Sequence, residues 1–271
     1  MPEAFFSPSR PALAKVVSLC CARDSRVWQR SSPWIVRHIV AASYEVLVPD
    51  QEVEAFRAIT PSPFVVVGES HYLQERGMAW VMARLPPGHG RPGWYLQQFL
   101  KIAAACSAAA EEVVLIWDAD TIPLKPLSFV QADGRLIYYK SDEHHPPYFK
   151  TIRNLLGLEK KVDFSFIAQC FAIRSGWAQA FCDEVARRSG LHWMEGIIKS
   201  LDFEDFFCFS EYESLGTFLT HHHPAELHFS DSPWQRFGSS RVGPLESLSE
   251  ERLQSLADRY DYITFEWWDQ P

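Results

Sequence analysis

Short apolar runs alternate with helix-like stretches through the first half of the chain, and this alternation limits the possible folds more than any other feature. The runs "AKVVSLCC" (14–21), "YEVLVPD" (44–50) and "FVVVG" (64–68) are rich in Val and Leu. Such runs are typical of strands covered on both faces. Because a helical stretch separates each run from the next, we predict a parallel sheet with right-handed crossovers, and therefore an α/β fold.

Local signals place the helices between these strands. Ser32 followed by Pro33 has the pattern of an N-cap and a first helical residue, which predicts a helix over 34–41. Asp50 is the expected cap of the next helix, over 51–59.

A longer helix is predicted within "WYLQQFLKIAAACSAAA" (94–110), where apolar residues recur at helical spacing. Gln97 and Lys101 are four residues apart, so they share a face of this helix and remain available for a ligand.

The segment "VVLIWDADTIP" (113–123) ends an apolar run with two aspartates. In an extended chain, alternate residues point to the same side, so Asp118 and Asp120 converge while Ala119 is turned away. They lie just past the carboxyl end of a central strand, the edge at which open α/β sheets bind ligands. Two carboxylates there suit Mg²⁺ or Mn²⁺, which share their remaining coordination positions with substrate phosphates. The simpler interpretation is that two aspartates solvate a turn.

A second acidic pair occurs in "SEYES" (210–214). On a strand Glu211 and Glu213 would share a face, whereas on a helix they would diverge by roughly 200°. One of them is a candidate general base that deprotonates an acceptor hydroxyl. The alternative is an ordinary helix start, with Ser210 as N-cap and Glu213 as its capping-box partner.

Composition excludes several classes of protein. The 271 residues carry a formal net charge of −8 without a Lys or Arg run, so the electrostatic footprint of a nucleic-acid-binding protein is missing. No apolar stretch reaches the roughly 18 residues of a membrane span. The six cysteines show no metal-binding spacing and are typical of reduced core thiols. We therefore predict a cytoplasmic protein, compatible with attachment to the inner face of the cytoplasmic membrane.

Four segments, in this order and spacing, resemble the bacterial family DUF6492, whose members are similar to GT-A glycosyltransferases: "GWYLQQFLKI", "LIWDADTIPLKP", "FSFIAQCFAIR" and "FSEYESLGTF". The resemblance covers roughly residues 14–220. It implies a single GT-A-like α/β domain over 1–271, with a mixed central sheet flanked by helices. Its Rossmann-like, nucleotide-sugar-binding half would span 14–120, and its acceptor-side half 121–271.

The resemblance also implies positions for the site. Asp118 and Asp120 match the D-x-D motif that binds the metal ion and the donor diphosphate or ribose. Arg23 and Asp24 lie where such enzymes begin the nucleotide pocket.

A histidine near the C-terminus is the expected third metal ligand, and the candidates are His221, His222, His223 and His228. His228 is preferred because "HFSDSPW" partly resembles the H-x-x-G-x-x-K-P-W motif of family 8 glycosyltransferases. The segment lacks the glycine and the lysine of that motif, which leaves Arg236 or Lys101 as the candidate phosphate cation.

The predicted function is metal-dependent transfer of a sugar from a nucleoside diphosphate donor to a surface polysaccharide or lipid-linked glycan. Gln97 and Lys101 would meet the donor, and Mn²⁺ or Mg²⁺ is the expected cofactor. Glu211 is the preferred acceptor-side base and Glu213 the reserve.

Two alternatives remain open. A phosphohydrolase of the haloacid dehalogenase type also places D-x-D after an apolar strand, but that motif belongs on the first strand and needs a later G-D-x-x-x-D segment. The other is a GT-A-like domain that binds a sugar nucleotide or glycan without transferring it. Several tryptophans are candidates for an apolar platform under a sugar ring or base: Trp193, Trp234, Trp267 and Trp268.

Overall fold

The computed structural model describes residues 12–89, 91–203 and 207–269. The strands are β1 (Leu13–Leu19), β2 (Tyr44–Val48), β3 (Phe64–Gly68), β4 (Val113–Trp117), β5 (Thr121–Pro123), β6 (Leu136–Tyr139), β7 (Cys170–Arg174), β8 (Leu227–Ser230) and β9 (Tyr262–Thr264). The helices are α1 (Ser25–His38), α2 (Val53–Ile59), α3 (Ser70–Leu73), α4 (Met78–Met82), α5 (Pro92–Ala105), α6 (Pro146–Leu156), α7 (Ser175–Ser189), α8 (Trp193–Ser200), α9 (Glu211–His222), α10 (Gly238–Val242) and α11 (Glu250–Leu256).

A five-stranded sheet in the order β3-β2-β1-β4-β7 forms the centre of the molecule. The first four strands are parallel, and β7 runs antiparallel to β4. Every residue of β4 is buried, as its uninterrupted apolar sequence predicts for a strand with helices on both faces. The predicted α/β class, with a mixed central sheet flanked by helices, is confirmed.

Two small sheets extend the fold beyond β4. β5 pairs antiparallel with β9, and β6 pairs parallel with β8. The β5–β9 pair belongs to a second apolar cluster that includes Trp34, Ile122 and Ile263. This cluster anchors the C-terminal segment directly beside the residues that follow β4.

The predicted helix start at Ser32 is wrong, because α1 begins at Ser25 and contains Pro33 in its interior. The Ser32 hydroxyl donates to the carbonyl of Trp28 at 2.7 Å instead of capping a new helix. Trp28 and Ile35 are both fully buried on this helix. Packing of its apolar face therefore outweighs the backbone hydrogen bond that an interior proline removes.

The predicted cap at Asp50 is also wrong. Asp50 opens a short 3-10 turn before α2, and its Oδ1 accepts hydrogen bonds from the Ser70 amide (3.2 Å) and hydroxyl (2.8 Å). A Cβ at Gly68 would lie 2.2 Å from the same oxygen. Glycine at the end of β3 thus allows Asp50 to join the second and third strand ends.

Candidate active site

The Asp-Ala-Asp turn leaves β4 at the carboxyl edge of the sheet and is fixed by its backbone. The Asp118 amide donates to the carbonyl of Gln169 at 2.9 Å, and the Asp120 carbonyl accepts from the Phe265 amide at 2.8 Å. From α1, the Ser31 hydroxyl donates to the Ala119 carbonyl at 2.5 Å. The turn is therefore held by α1, by the residues before β7 and by the segment after β9.

Lys101 of α5 is buried beside this turn and contacts two carboxylates. Its Nζ lies 2.7 Å from Oδ1 of Asp118 and 2.9 Å from Oε1 of Glu211. Burial alone would lower the pKa of Lys101, but the two carboxylates together raise it above its ordinary value. The lysine is therefore a charged ammonium group, and it pairs with Asp118, the first carboxylate of the D-x-D motif.

Tyr212 completes this cluster and was not among the residues predicted from the sequence. Its hydroxyl donates to Oδ1 of Asp118 at 2.7 Å and accepts from Nζ of Lys101 at 3.2 Å. The Lys101 nitrogen also lies 4.4 Å from the centre of the Tyr212 ring, which stacks on Phe171. Tyr212 therefore restricts the positions of both charged groups.

Asp120, the second carboxylate of the motif, is in a different electrostatic state. It is half-buried, and among the described residues no Lys, Arg or His nitrogen lies within 4.0 Å of its carboxylate. Burial raises the pKa of Asp120 well above its usual range, and the negative charges of Asp118, Glu266 and Asp24 raise it further. The surroundings of Asp120 therefore disfavour its ionised form, and Lys101 opposes this effect only in part.

The C-terminal segment contributes Glu266, which is a further site residue that was not predicted from the sequence. Its Oε1 accepts from Nε of Arg236 at 2.7 Å and from Nε2 of Gln169 at 3.0 Å. Burial raises the pKa of Glu266 and Arg236 opposes that shift. Arg236 is also paired with Glu143, so this candidate phosphate cation already has two carboxylate partners.

Arg23 and Asp24 follow β1 in a short 3-10 turn at the same sheet edge. They form an ion pair of 2.8 Å, and the Arg23 guanidinium lies 4.8 Å from the centre of the Trp267 ring. Through its influence on the pKa of Asp120, Asp24 belongs electrostatically to the site. Arg23 and Asp24, the residues predicted to begin the nucleotide pocket, thus lie close to the D-x-D turn.

The acidic pair lies at the start of a helix, and this separates its two members. Ser210 caps α9, with its side chain accepting from the Glu213 amide at 3.2 Å. Glu211 turns towards Lys101, whereas the Glu213 carboxylate contacts Lys160 and the Ser165 hydroxyl at 2.5 Å each and the Phe166 amide at 3.2 Å. Glu213 is completely buried among these partners, which are those of a structural residue.

Gln97 and Lys101 differ in environment although they are four residues apart. Gln97 is exposed, while Lys101 is buried. The neighbouring Gln98 is buried instead, and its Oε1 accepts from the Glu211 amide at 2.9 Å. Gln98 therefore positions the start of α9, and its spacing of three from Lys101 is the signal that could have identified it.

The structure does not assemble the predicted metal triad. In the described ranges, no group of three or more His, Cys, Asp or Glu side chains is arranged to hold a metal ion. His228 lies on β8, whose register pairs it with Ile137 of β6 rather than with β4, the strand that leads into Asp118 and Asp120.

The other candidate histidines are at the opposite end of α9. His221 and His222 form its last turn, about 15 Å along the helix from Glu211 by the rise per residue. His223 stacks on Trp177 with ring centres 4.2 Å apart. A third ligand from this run is therefore not brought to the D-x-D turn.

Comparison with known proteins gives a family and two structural alignments. A family model described as "Family of unknown function (DUF6492)" matches residues 35–235. No curated protein matches the chain. Mouse xyloside xylosyltransferase 1, in its apo form, aligns with 11% identity over 95% of this chain and 98% of its own, at a TM-score of 0.48. The galactosyltransferase LgtC, in complex with donor and acceptor sugar analogs, aligns with 12% identity over 93% of this chain and 86% of its own, at a TM-score of 0.45.

In the part of the chain that the structure describes, no helix is long and apolar enough to cross a membrane.

Proposed function

The chain belongs to the DUF6492 family, and from this premise we propose that it is a GT-A-like, metal-dependent glycosyltransferase. The substrates would be a nucleoside diphosphate sugar and a surface polysaccharide or lipid-linked glycan. The observation that carries the proposal is the half-buried carboxylate of Asp120, which has no Lys, Arg or His nitrogen within 4.0 Å among the described residues. Three other carboxylates, those of Asp118, Glu266 and Asp24, raise its pKa further above the value that burial alone gives.

The donor set fits a hard divalent cation. Asp118 and Asp120 would hold Mn²⁺ or Mg²⁺, since Oδ2 of Asp118 takes no part in the bonds to Lys101 and Tyr212. Such ions are commonly bound by one or two carboxylates, with substrate phosphates and water in the other positions, so a third protein ligand is not required. When bound, the ion supplies neutralisation of the charge that builds on the leaving diphosphate.

The residues around the turn have separate proposed roles. Lys101 would contact the donor sugar or its diphosphate while remaining paired with Asp118. Glu211 is the proposed acceptor-side base. Burial raises its pKa and Lys101 opposes that shift, and an elevated carboxyl pKa suits proton abstraction near neutral pH. Arg23 and Asp24 would border the nucleotide.

We propose that the reaction takes place in the cytoplasm, at the inner face of the membrane where the acceptor is lipid-linked. The support is that all six cysteines are free thiols, as is usual in a reducing compartment.

Release of nucleoside diphosphate from a panel of UDP-, GDP-, CDP- and dTDP-sugars tests the proposal. We expect donor-specific release that requires Mn²⁺ or Mg²⁺, stops with EDTA and is lost in Asp120→Asn. The matched control is Asp231→Asn, since Asp231 is exposed and pairs only with Lys140 among the described residues.

The same experiment separates the alternatives. Turnover that survives both EDTA and Asp120→Asn would refute the metal role. Inorganic phosphate released from phosphomonoesters would indicate a phosphohydrolase instead. Thermal stabilisation by a sugar nucleotide without any turnover would indicate a binding domain.

A further inference from the structure

Three exposed aromatic side chains lie next to the candidate active site. Phe237, Trp267 and Trp268 are 41%, 51% and 45% exposed, and we call them the aromatic rim. The other exposed large apolar side chains of the described residues are aliphatic and lie elsewhere in the sequence: Val40, Val65, Met78, Met82 and Leu191. Exposed aromatic surface that is confined to one place commonly marks a binding site.

The backbone fixes the aromatic rim relative to the D-x-D turn. Phe237 forms an antiparallel bridge with Phe265, whose amide donates to the Asp120 carbonyl at 2.8 Å. Gly238 allows this close approach, because a Cβ there would lie 2.5 Å from the Thr264 carbonyl oxygen. One residue further along, Glu266 connects the segment to Gln169 and Arg236. The rim is therefore joined to Asp120 through one hydrogen-bonded strand segment.

The rim combines ring faces with polar groups. The Phe237 and Trp268 rings meet edge to face, with centres 5.9 Å apart, and the Arg236 guanidinium lies 5.8 Å from the Trp268 ring. A pyranose ring presents C–H groups on its face and hydroxyls around its edge. It therefore matches an aromatic surface that is bordered by hydrogen-bonding charged groups.

Charge indicates which partner the rim accommodates. Arg23 and Arg236 are each paired with carboxylates, namely Asp24 for the first and Glu143 and Glu266 for the second. Asp120 adds a carboxylate without a cation partner among the described residues, and the whole chain carries a net charge of −8. An anionic lipid surface would be repelled by the excess negative charge here, whereas an uncharged glycan would not be repelled.

We propose that Phe237 and Trp268 form the acceptor subsite and stack against a neutral glycan. This assignment rests on the proposed glycosyltransferase function, and it deepens that function by naming an uncharged, ring-stacking acceptor. Among the candidate tryptophans, Trp234 is instead a packing residue that stacks on Tyr262 and donates to the Lys140 carbonyl at 2.8 Å. Trp193 packs edge to face on Phe99.

Calorimetric titration with neutral hexasaccharides of glucose, mannose, galactose and N-acetylglucosamine tests the subsite. We expect at least one of them to bind the wild-type protein, and binding to weaken about tenfold in Phe237→Ser and in Trp268→Ser. Met82→Ser is the matched control, because Met82 is 58% exposed and lies outside the rim. Unfolding temperatures of all variants separate lost binding from lost folding.

Binding of none of these glycans, or equal binding by all variants, would overturn the assignment. Rim-dependent binding to vesicles of phosphatidylcholine and phosphatidylglycerol, without glycan binding, would replace it by a membrane contact. Titration of UDP, GDP, CDP and dTDP with Mn²⁺ is carried out in parallel. If none of these nucleotides binds, the proposed function fails, while the glycan titration still decides whether the aromatic rim binds a glycan.

Discussion

Nζ of Lys101 lies 2.7 Å from Oδ1 of Asp118, so the first carboxylate of the Asp-x-Asp motif has a buried cation as its partner. Asp120, two residues later, has none among the described residues, and its pKa is raised by burial and by neighbouring carboxylates. Two side chains of the same type in one motif are therefore in opposite electrostatic states. Asp118 is a structural counter-ion as well as a proposed ligand, whereas the ionised form of Asp120 is disfavoured until a metal ion offsets its charge.

Neutralising the two aspartates should change stability in opposite directions. Asp120→Asn removes a charge that its surroundings disfavour, so we expect an unchanged or higher free energy of unfolding together with loss of transfer. Asp118→Asn leaves Glu211 as the only carboxylate that contacts Lys101, so we expect the free energy of unfolding to fall by roughly 1–3 kcal/mol. Urea unfolding of both variants in EDTA measures the difference. Equal destabilisation by the two substitutions would contradict the asymmetry.

Lys101→Met should destabilise the protein strongly. The substitution leaves Asp118 and Glu211 buried without their common cation, a change expected to cost roughly 3–5 kcal/mol at neutral pH. The deficit should shrink in acid, because Glu211, whose pKa is raised by burial, can then fold in its protonated form.

Adding Glu211→Gln to Lys101→Met provides the control, since it removes one of the two unpaired carboxylates. The double variant should recover part of the lost stability, as expected for residues that interact directly. If the losses in the two single variants simply add, Lys101 and Glu211 do not interact as the structure indicates.

Local sequence patterns were sufficient to predict that the motif lies at the sheet edge, but not to predict which residues form the site there. The apolar run before Asp118 predicts a buried strand, and it places the motif at the carboxyl edge without further information. The contact between Lys101 and Tyr212 joins residues 111 positions apart, which no local pattern indicates. Periodicity alone also could not decide between Gln97 and Gln98, because only the packing of α9 against α5 determines which side chain is covered.

Tertiary context also limits two other predictions. Pro33 signals a helix start locally, but burial of Trp28 and Ile35 carries α1 through it. The preference for His228 rests on a short motif, whereas the position of this residue depends on the pairing of β8 with β6, which the sequence does not specify. For the acidic pair, the capping signal was informative in part, since Ser210 is the N-cap and accepts from the Glu213 amide. The Glu213 carboxylate bonds to Lys160, Ser165 and Phe166 instead of completing a capping box.

Glu213→Gln should reduce stability without removing the chemistry. The carboxylate of Glu213 joins α9 to Lys160, Ser165 and Phe166, and an amide cannot replace both the ion pair and the accepted hydrogen bonds. We expect a loss of roughly 2–4 kcal/mol, because the substitution leaves Lys160 without its buried partner.

The activity of Glu213→Gln, measured well below its unfolding temperature, should stay within a few-fold of wild type. Glu211→Gln is the comparison, and it should lose transfer while donor-dependent thermal stabilisation is retained. Transfer abolished in Glu213→Gln with an unchanged unfolding temperature would instead assign catalysis to Glu213.

Glu69 should make the protein less stable as the pH rises towards neutrality. It follows β3 at the same sheet edge, where burial, with Asp50 and Glu52 nearby, raises its pKa to about 7. Between the ordinary value of 4.5 and 7 the folded state binds more protons than the unfolded state, so the free energy of unfolding falls across this window and levels off above it. The loss is about 1–3 kcal/mol, after allowance for partial exposure.

Glu69→Gln should remove this loss, making the variant more stable than wild type at pH 8 but not at pH 4, as measured by urea unfolding. Glu54→Gln, at a glutamate whose side chain is 83% exposed, controls for the general effect of removing one negative charge. A Glu69→Gln variant whose stability follows that of wild type at both pH values would exclude Glu69 as the source of the dependence.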